Sequence, residues 1–491
     1  MNKLYIILIG LFLLTACKKE VVIYDAKGDD NFELVALLNL AGKDCFYDSE
    51  FDVLKFSLSE ADAANFNPLV KFEAGTEILF AGKLLKNNAV NSFGDIEINK
   101  AYAVVLKARG ETLNTQLVFT AIPTVQIVVL DEVENEPKTL GKLTINYPEL
   151  DRPSQVNWIG LEFRGASSLR YDKKSYGFRI YNDKSTENES HAAFFDFENN
   201  EDWILDALYI DQSKLRNKTS FELWQSMGDA ENHVSIESRY VELFMNNNAL
   251  GLYAFTEDFT ARLLDLNGSS VLYKGTDNSE ATHFEELPHK APLSSKWGDW
   301  QQKYPKPSET IVWDDFQALN ELVIKADDAD FKANIGQQID LDNIIDYFLL
   351  VNLCSAYDNI GKNWCFLKRN STDKFIIVPW DLDATWGRDA TGDFYASQII
   401  QTNKLFNRLI DLNPDDFNFR LQTRWYNLRK DQFSVQNLSR LFGINFDLLR
   451  EYNVETLELR KWDIPMNLSA EESYINAWIE KRLVVLDEKF N

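Results

Sequence analysis

Asp358 and Asn363 stand five residues apart in a polar loop, Tyr357-Asp358-Asn359-Ile360-Gly361-Lys362-Asn363-Trp364, set between apolar segments. That interval is the one used in phosphoryl-transfer loops, where the Asp takes the proton of the attacking hydroxyl and the Asn holds a metal ion. A short hairpin follows, with strands around Cys365 to Lys368 and Phe375 to Val378 and a turn at Asn370 to Asp373. It delivers Pro379-Trp380-Asp381-Leu382-Asp383. Asp381 and Asp383 lie two apart and so share one face of an extended segment. Together with Asn363 they offer the hard oxygen donors that Mg2+ or Mn2+ requires. Taken alone, the acidic pair reads better as a solvated turn in an acidic protein. Its place after an Asp and an Asn at that spacing favours metal.

A phosphate needs cations as well as a metal. The run from Phe163-Arg164-Gly165-Ala166-Ser167-Ser168 to Lys173-Lys174-Ser175-Tyr176-Gly177-Phe178-Arg179-Ile180 supplies Arg164 and two lysines. In a strand, Lys174 shares a face with Tyr176, Phe178 and Ile180, so it is expected to point inward. An inward lysine needs an anionic partner, either nucleotide phosphate or a carboxylate such as Glu222 on the following helix. The alternative is a pair of snorkelling surface lysines. No glycine-rich phosphate loop of either standard type is present, so phosphate binding would rest on Lys174, the metal and Arg164.

The elements that must position these residues read as α+β. Short alternating runs between Phe32 and Phe119, parted by Gly, Asn and Asp turns, predict a small all-β sandwich of immunoglobulin-like type. Ala121-Ile122-Pro123-Thr124 reads as the joint to a second domain. Strands are expected over 157–164, 174–181, 239–246, 250–256 and 271–274, interrupted by a helix within 211–227 that Gly228 stops. From Trp313 onward long segments read as helices, including one capped by Asp342-Asn343 that runs to Cys354. Sheet-rich and helical parts in this order suggest two lobes with a cleft between them.

The first residues carry a different signal. Lys3, the apolar stretch Leu4 to Leu14 and then Leu14-Thr15-Ala16-Cys17 read as an export leader over 1–16, cut before a lipid-modified Cys17. Residues 17–31 would then be a tether, 32–122 the sandwich and 123–491 the second domain. Such a chain meets the membrane only through its lipid, in the cell envelope and at an outer membrane, on an undetermined face. A net charge of −25 argues against nucleic acid. Three cysteines besides Cys17 imply no disulfide scaffold, although Cys354 and Cys365 could pair in an oxidising compartment. The four histidines lack zinc-ligand spacing.

In series, these motifs resemble the spore coat protein H (CotH) kinase family. The matching pieces are Arg164 to Ser168 with Lys173 to Tyr176, then Leu205 to Asp211 with Leu215-Arg216-Asn217. Tyr240 to Phe244 and Leu250 to Glu257 follow, and last come Asp358 to Asn363 and Pro379 to Gly387. The resemblance implies an atypical, two-lobed protein-kinase-like fold that moves the γ-phosphoryl of ATP to Ser or Thr of a protein substrate in the envelope. By the same resemblance Asp358 would be the base, Asn363 and Asp381 metal ligands with Asp383 beside them, and Lys174 the phosphate lysine. Arg164, Glu222 and Glu257 would stand at the nucleotide. Ala166 departs from the family's Asn, and Asn247-Asn248-Ala249 from its Asn-Gly turn, which bears on loop shape more than on chemistry. The competing reading is a catalytically silent surface protein that docks glycans or envelope proteins, for which Trp297, Trp300, Tyr304 and Trp313 are the candidate aromatics. A two-carboxylate glycoside hydrolase is a third reading.

Overall fold

The computed structural model describes residues 37–490 apart from 135, 166 and 290–292. The leader, the expected lipidation site Cys17, the whole tether and the first residues of the expected sandwich, 32–36, lie outside the described residues. The fold is mixed α+β, as expected.

Residues 37–120 form a four-stranded and a six-stranded sheet that share one apolar core. Alternation sets the inward face: along Glu111–Thr120, Leu113, Thr115, Leu117 and Phe119 are buried while the residues between them are more open. Within that core Phe119 lies 5.9 Å from Phe56 on the adjacent strand and 5.7 Å from Phe66 in edge-to-face contacts.

After Pro123 seven strands close into a barrel: β1 (Thr124–Val129), β2 (Thr139–Asn146), β3 (Gln155–Arg164), β4 (Ser175–Tyr181), β5 (Asp202–Asp206), β6 (Ser238–Met245) and β7 (Asn248–Glu257). Neighbours run antiparallel except β1 and β6, whose parallel pairing completes the closure. Closure leaves no sheet edge to protect. The interior is filled by Phe178, Phe194, Trp203 and Phe255, with Trp203 fully buried. Between β5 and β6 the helix α1 (Arg216–Ser226) crosses over, ending just before Gly228 as anticipated.

A second sheet joins β8 (Val271–Gly275), β9 (Lys296–Trp297), β10 (Trp300–Tyr304), β11 (Trp364–Lys368) and β12 (Ile376–Pro379), with β11 and β12 forming the anticipated hairpin. The helices around it are α2 (Asp314–Ile324), α3 (Asp328–Gln338), α4 (Leu341–Cys354), α5 (Lys404–Leu412), α6 (Phe417–Lys430), α7 (Val435–Glu451), α8 (Val454–Trp462) and α9 (Leu468–Phe490). Helix α4 is buried on nearly every side and is the spine of the largest core. Its cap is Asp340 rather than the expected Asp342-Asn343, because the Asp340 carboxylate reaches the amides of both those residues. That frees Asn343 to accept the Ile377 N–H at 2.7 Å, tying helix to hairpin.

Two open alternatives fall the way the sequence favours. Cys354 and Cys365 are free, buried thiols: Cys354 faces the α4 core and Cys365 a separate apolar cluster on the hairpin. The aromatics considered for glycan docking are structural, since Trp297, Trp300 and Trp313 are buried against Phe316. Among the described residues no helix is long and apolar enough to cross a membrane.

Trp203→Ala should cost about 3–5 kcal/mol, the usual range for emptying a buried aromatic site. A lowered denaturant midpoint in guanidinium unfolding is the check.

Candidate active site

The loop after α4 and the end of the hairpin are locked together by backbone. The Trp380 N–H donates to the Asn363 carbonyl at 2.9 Å. The buried Asn359 amide bridges both, donating to the carbonyls of Asn363 at 2.8 Å and Trp380 at 2.7 Å. Asn363 and Asp381 both adopt left-handed backbone, with φ of 56° and 52°. Asn and Asp tolerate that region better than most residues, and such conformations cluster where a side chain must be aimed. Glycine is needed at 361, because a Cβ there would lie 2.3 Å from His283 Nε2 and 2.6 Å from Asn278 Oδ1.

Asp358 and Asn363 meet as their spacing predicts: Asn363 Nδ2 lies 3.3 Å from Asp358 Oδ2, and both are buried. The other Asp358 oxygen accepts from Asn278 at 2.6 Å. Lys362 Nζ stands 3.0 Å from Oδ2, and although burial opposes its charge, Asp358 holds it protonated above the ordinary lysine range. The carboxylate is therefore fixed in orientation and rests in an ion pair.

Asp381 and Asp383 line one cleft with Asp206 from the end of β5. Helix α1 fixes the segment between them, since Asn217 Oδ1 accepts the Leu382 N–H at 2.8 Å and Arg216 donates to the Thr385 carbonyl at 3.0 Å. The surrounding protein and the charge of Asp206 push Asp381 above the ordinary carboxylate range, opposed in part by Lys274. Asp381 opens to the cleft, and the like charges of Asp206 and Asp358 beside it favour its protonated form. Asp383 is driven up further, by burial and then by Asp381 and Asp206.

Among the described residues no three His, Cys, Asp or Glu side chains form a ready-made metal cage. The donor set nevertheless suits Mg2+, which is commonly held by one or two carboxylates with water and substrate phosphate oxygens completing the shell. Asp381 and Asp383 repel each other until a cation intervenes, and Asn363 adds a neutral oxygen.

The cations are partly those expected. Arg164 lines the cleft and makes a two-point pair with Asp258 at 2.6 and 3.3 Å, which holds it charged despite burial. Lys174 is displaced from its predicted role. Its ammonium turns into the preceding loop and donates to the carbonyls of Leu169 and Tyr171. The residue that points into the fold is Lys173, because regular strand begins only at Ser175 and the face alternation does not extend back to 174. Glu222 is not its partner either: it pairs with Lys218 one turn earlier on α1 and accepts from Asn445 at 2.9 Å.

Sequence reasoning missed Lys274, on β8. Its ammonium lies 3.7 Å from the Trp380 ring centre, and the Arg164 guanidinium lies 5.6 Å from the same ring. Burial lowers Lys274 to about 8, and Asp381 partly counters this. No motif marks it, only its place at the end of a strand that pairs with Cys365 in the hairpin. Asp206, by contrast, stood within the quoted Leu205 to Asp211 run.

The outer half of the cleft is apolar, walled by Ile204, Ile236, Phe259 and Trp380, with the last two rings 5.1 Å apart. Glu257 sits there, buried, accepting the Glu237 N–H at 2.8 Å, and burial raises it to about 7.

The cleft thus gathers Arg164, Asp206, Asp381 and Asp383 beside Trp380, with Asp358 and Asn363 joined to it through the Asn363 and Trp380 backbone contact and Lys274 over the Trp380 ring. Residues 161–486 match the family model described as CotH kinase protein, and the chain belongs to that family. A curated relative is the inner spore coat protein H of Bacillus subtilis (strain 168), 26% identical over 268 residues, which cover 53% of this chain and 68% of that protein. The first 160 residues lie outside the family match.

Glu257 yields a pH prediction. Its folded pKa of about 7 exceeds the ordinary 4.5, so between these values the folded state binds more protons than the unfolded one. Its contribution is fully present below the lower value and is lost as pH rises through about 7. Stability of the natural protein relative to Glu257→Gln should therefore fall between about pH 5 and about pH 8, measured by denaturant unfolding across that range.

Proposed function

We propose that this protein is an atypical two-lobed kinase that transfers the γ-phosphoryl of ATP to Ser or Thr of a protein in the cell envelope. The observation that carries this reading is the junction at Asn363 and Trp380, which sets Asp358 and Asn363 beside the Asp381 to Asp383 segment. In this reading the barrel is the small lobe and the helical part the large one. In the same reading the two sheets of residues 37–120 would be an immunoglobulin-like sandwich, and the leader with Cys17 supports a lipid anchor at an outer membrane.

Asp358 would orient the attacking hydroxyl and take its proton once Lys362 swings toward the incoming phosphate. Asp381, Asp383 and Asn363 would hold Mg2+ or Mn2+. When bound, that ion supplies charge neutralisation at the phosphate oxygens. Lys274 and Arg164 would bind the remaining phosphate charge, and their stacking on Trp380 keeps both in place without a glycine-rich loop. Ile204, Phe259 and Trp380 would exclude water around the base. The silent, glycan-docking alternative loses support because three of its four aromatics, Trp297, Trp300 and Trp313, are buried.

Incubation with labelled ATP, Mg2+ and envelope protein tests the proposal. Asp358→Ala should lower transfer roughly 10²–10⁴-fold while nucleotide affinity stays close to that of the natural protein. Undiminished transfer by that variant contradicts the assignment.

The two lysines separate by affinity. Lys274→Met should weaken Mg·ATP binding about tenfold or more, as loss of a charge-assisted contact does, whereas Lys174→Met should change it far less. Titration calorimetry of both variants decides between them.

A further inference from the structure

Helix α8 touches two distant parts of the molecule at once. On its inner face Glu458 is fully buried, with both carboxylate oxygens 2.8 Å from Lys173 Nζ. It also accepts the Leu252 N–H at 3.1 Å, and Lys214 Nζ stands 3.9 Å away. Gly251, at φ 80°, makes room for it, because a Cβ there would approach Glu458 Oε1 to 2.8 Å.

Two residues along the same helix the outer face is held by the N-terminal β unit. Arg460 donates to the buried Asp48 at 2.7 Å and stacks 4.1 Å from the Phe51 ring centre. Lys461 pairs with Glu50. A buried pair across the same seam, Lys55 and Glu242 at 3.2 Å, fastens that unit to β6. The two faces of α8 are thus held by different parts of the molecule, and Glu458 cannot withdraw without disturbing Arg460.

What Glu458 holds leads to the cleft. Lys173 lies two residues before Ser175, whose hydroxyl donates to Asp206 at 3.2 Å and accepts the Ala207 N–H at 2.9 Å. Lys173, Ser175, Asp206 and Asp383 line one small cavity behind the acids. A lysine with no water contact must keep its counterion, so the position of β4 and with it Asp206 follows Glu458.

We propose that the N-terminal β unit is a positioning element of the nucleotide cleft, acting through α8: its grip on Arg460 keeps Glu458 on Lys173 and so sets the Ser175 and Asp206 edge of the site. This rests on reading that cleft as the nucleotide site. The unit is then more than a spacer from the membrane. Arg460 and Glu458 are positioning residues, remote from the reacting atoms.

The test uses the full chain carrying Arg460→Met, which keeps the aliphatic stem and drops the charge, and Asp48→Asn, which keeps the shape if the first variant folds poorly. The expected result is a KM for Mg·ATP raised about fivefold or more, the low end of ordinary coupling between sites. kcat should stay within about twofold. Amide exchange should quicken at 171–176 and 204–207, and Arg460→Lys should restore both readings. The inference is overturned if exchange quickens at 46–52, showing the seam has loosened, while 171–176 and KM are unchanged. If the natural chain neither binds nor uses Mg·ATP, the nucleotide reading falls by itself. Exchange at 171–176 then decides the coupling, unchanged protection refuting it.

Discussion

Mutual repulsion among the acids at the end of the hairpin is the constraint that the rest of the structure answers. Burial and the neighbouring charges of Asp206 and Asp358 raise the proton affinity of Asp381 and Asp383, and Asp383 is raised further by Asp381. Left free, such a cluster would spread or protonate. Backbone and amide ties prevent the first: Asn359 clasps the loop to the hairpin, Asn217 clasps the acidic segment to α1, and Asn343 clasps the hairpin to α4. The folded protein therefore stores a demand for positive charge at one place, which a divalent cation on the carboxylates would meet, while Lys274 and Arg164 would offset the charge of a polyphosphate bound to that cation.

The positive side of the site is arranged with equal economy. Lys274 and Arg164 come from different sheets, yet both stack on Trp380, the residue immediately before Asp381. An aromatic face holds like charges near each other more cheaply than an apolar wall would. Arg164 is further neutralised by Asp258, which leaves Lys274 as the cation with the least compensation, and its lowered proton affinity reflects that.

How much of this the chain disclosed depends on whether a residue's role is local. The Asp358 and Asn363 pairing, the hairpin and the acidic pair are neighbours in sequence, so spacing and period alone placed them. The strands of the barrel were legible from alternation, but closure was not, since the parallel pairing of β1 with β6 joins segments over a hundred residues apart. Lys174 misled because strand period was extended one residue beyond where strand begins. A two-residue period gives the opposite face for every error of one. Lys274 and Glu458 could not be found at all by local reading, because each acquires its meaning from an element far away in the chain, Trp380 in one case and Lys173 in the other. Asp206 lay between: the motif contained it, but only β5 facing the hairpin end gave it a neighbour.

The central claim is that paired acids and a nearby lysine require metal and polyphosphate together. Calorimetric titration of ATP into the natural chain, with and without Mg2+, tests it most directly. The account predicts that each of the two ligands tightens the binding of the other, and that this mutual gain disappears in Asp381→Asn. Equal ATP affinity with and without the metal, or a mutual gain that survives Asp381→Asn, would contradict it.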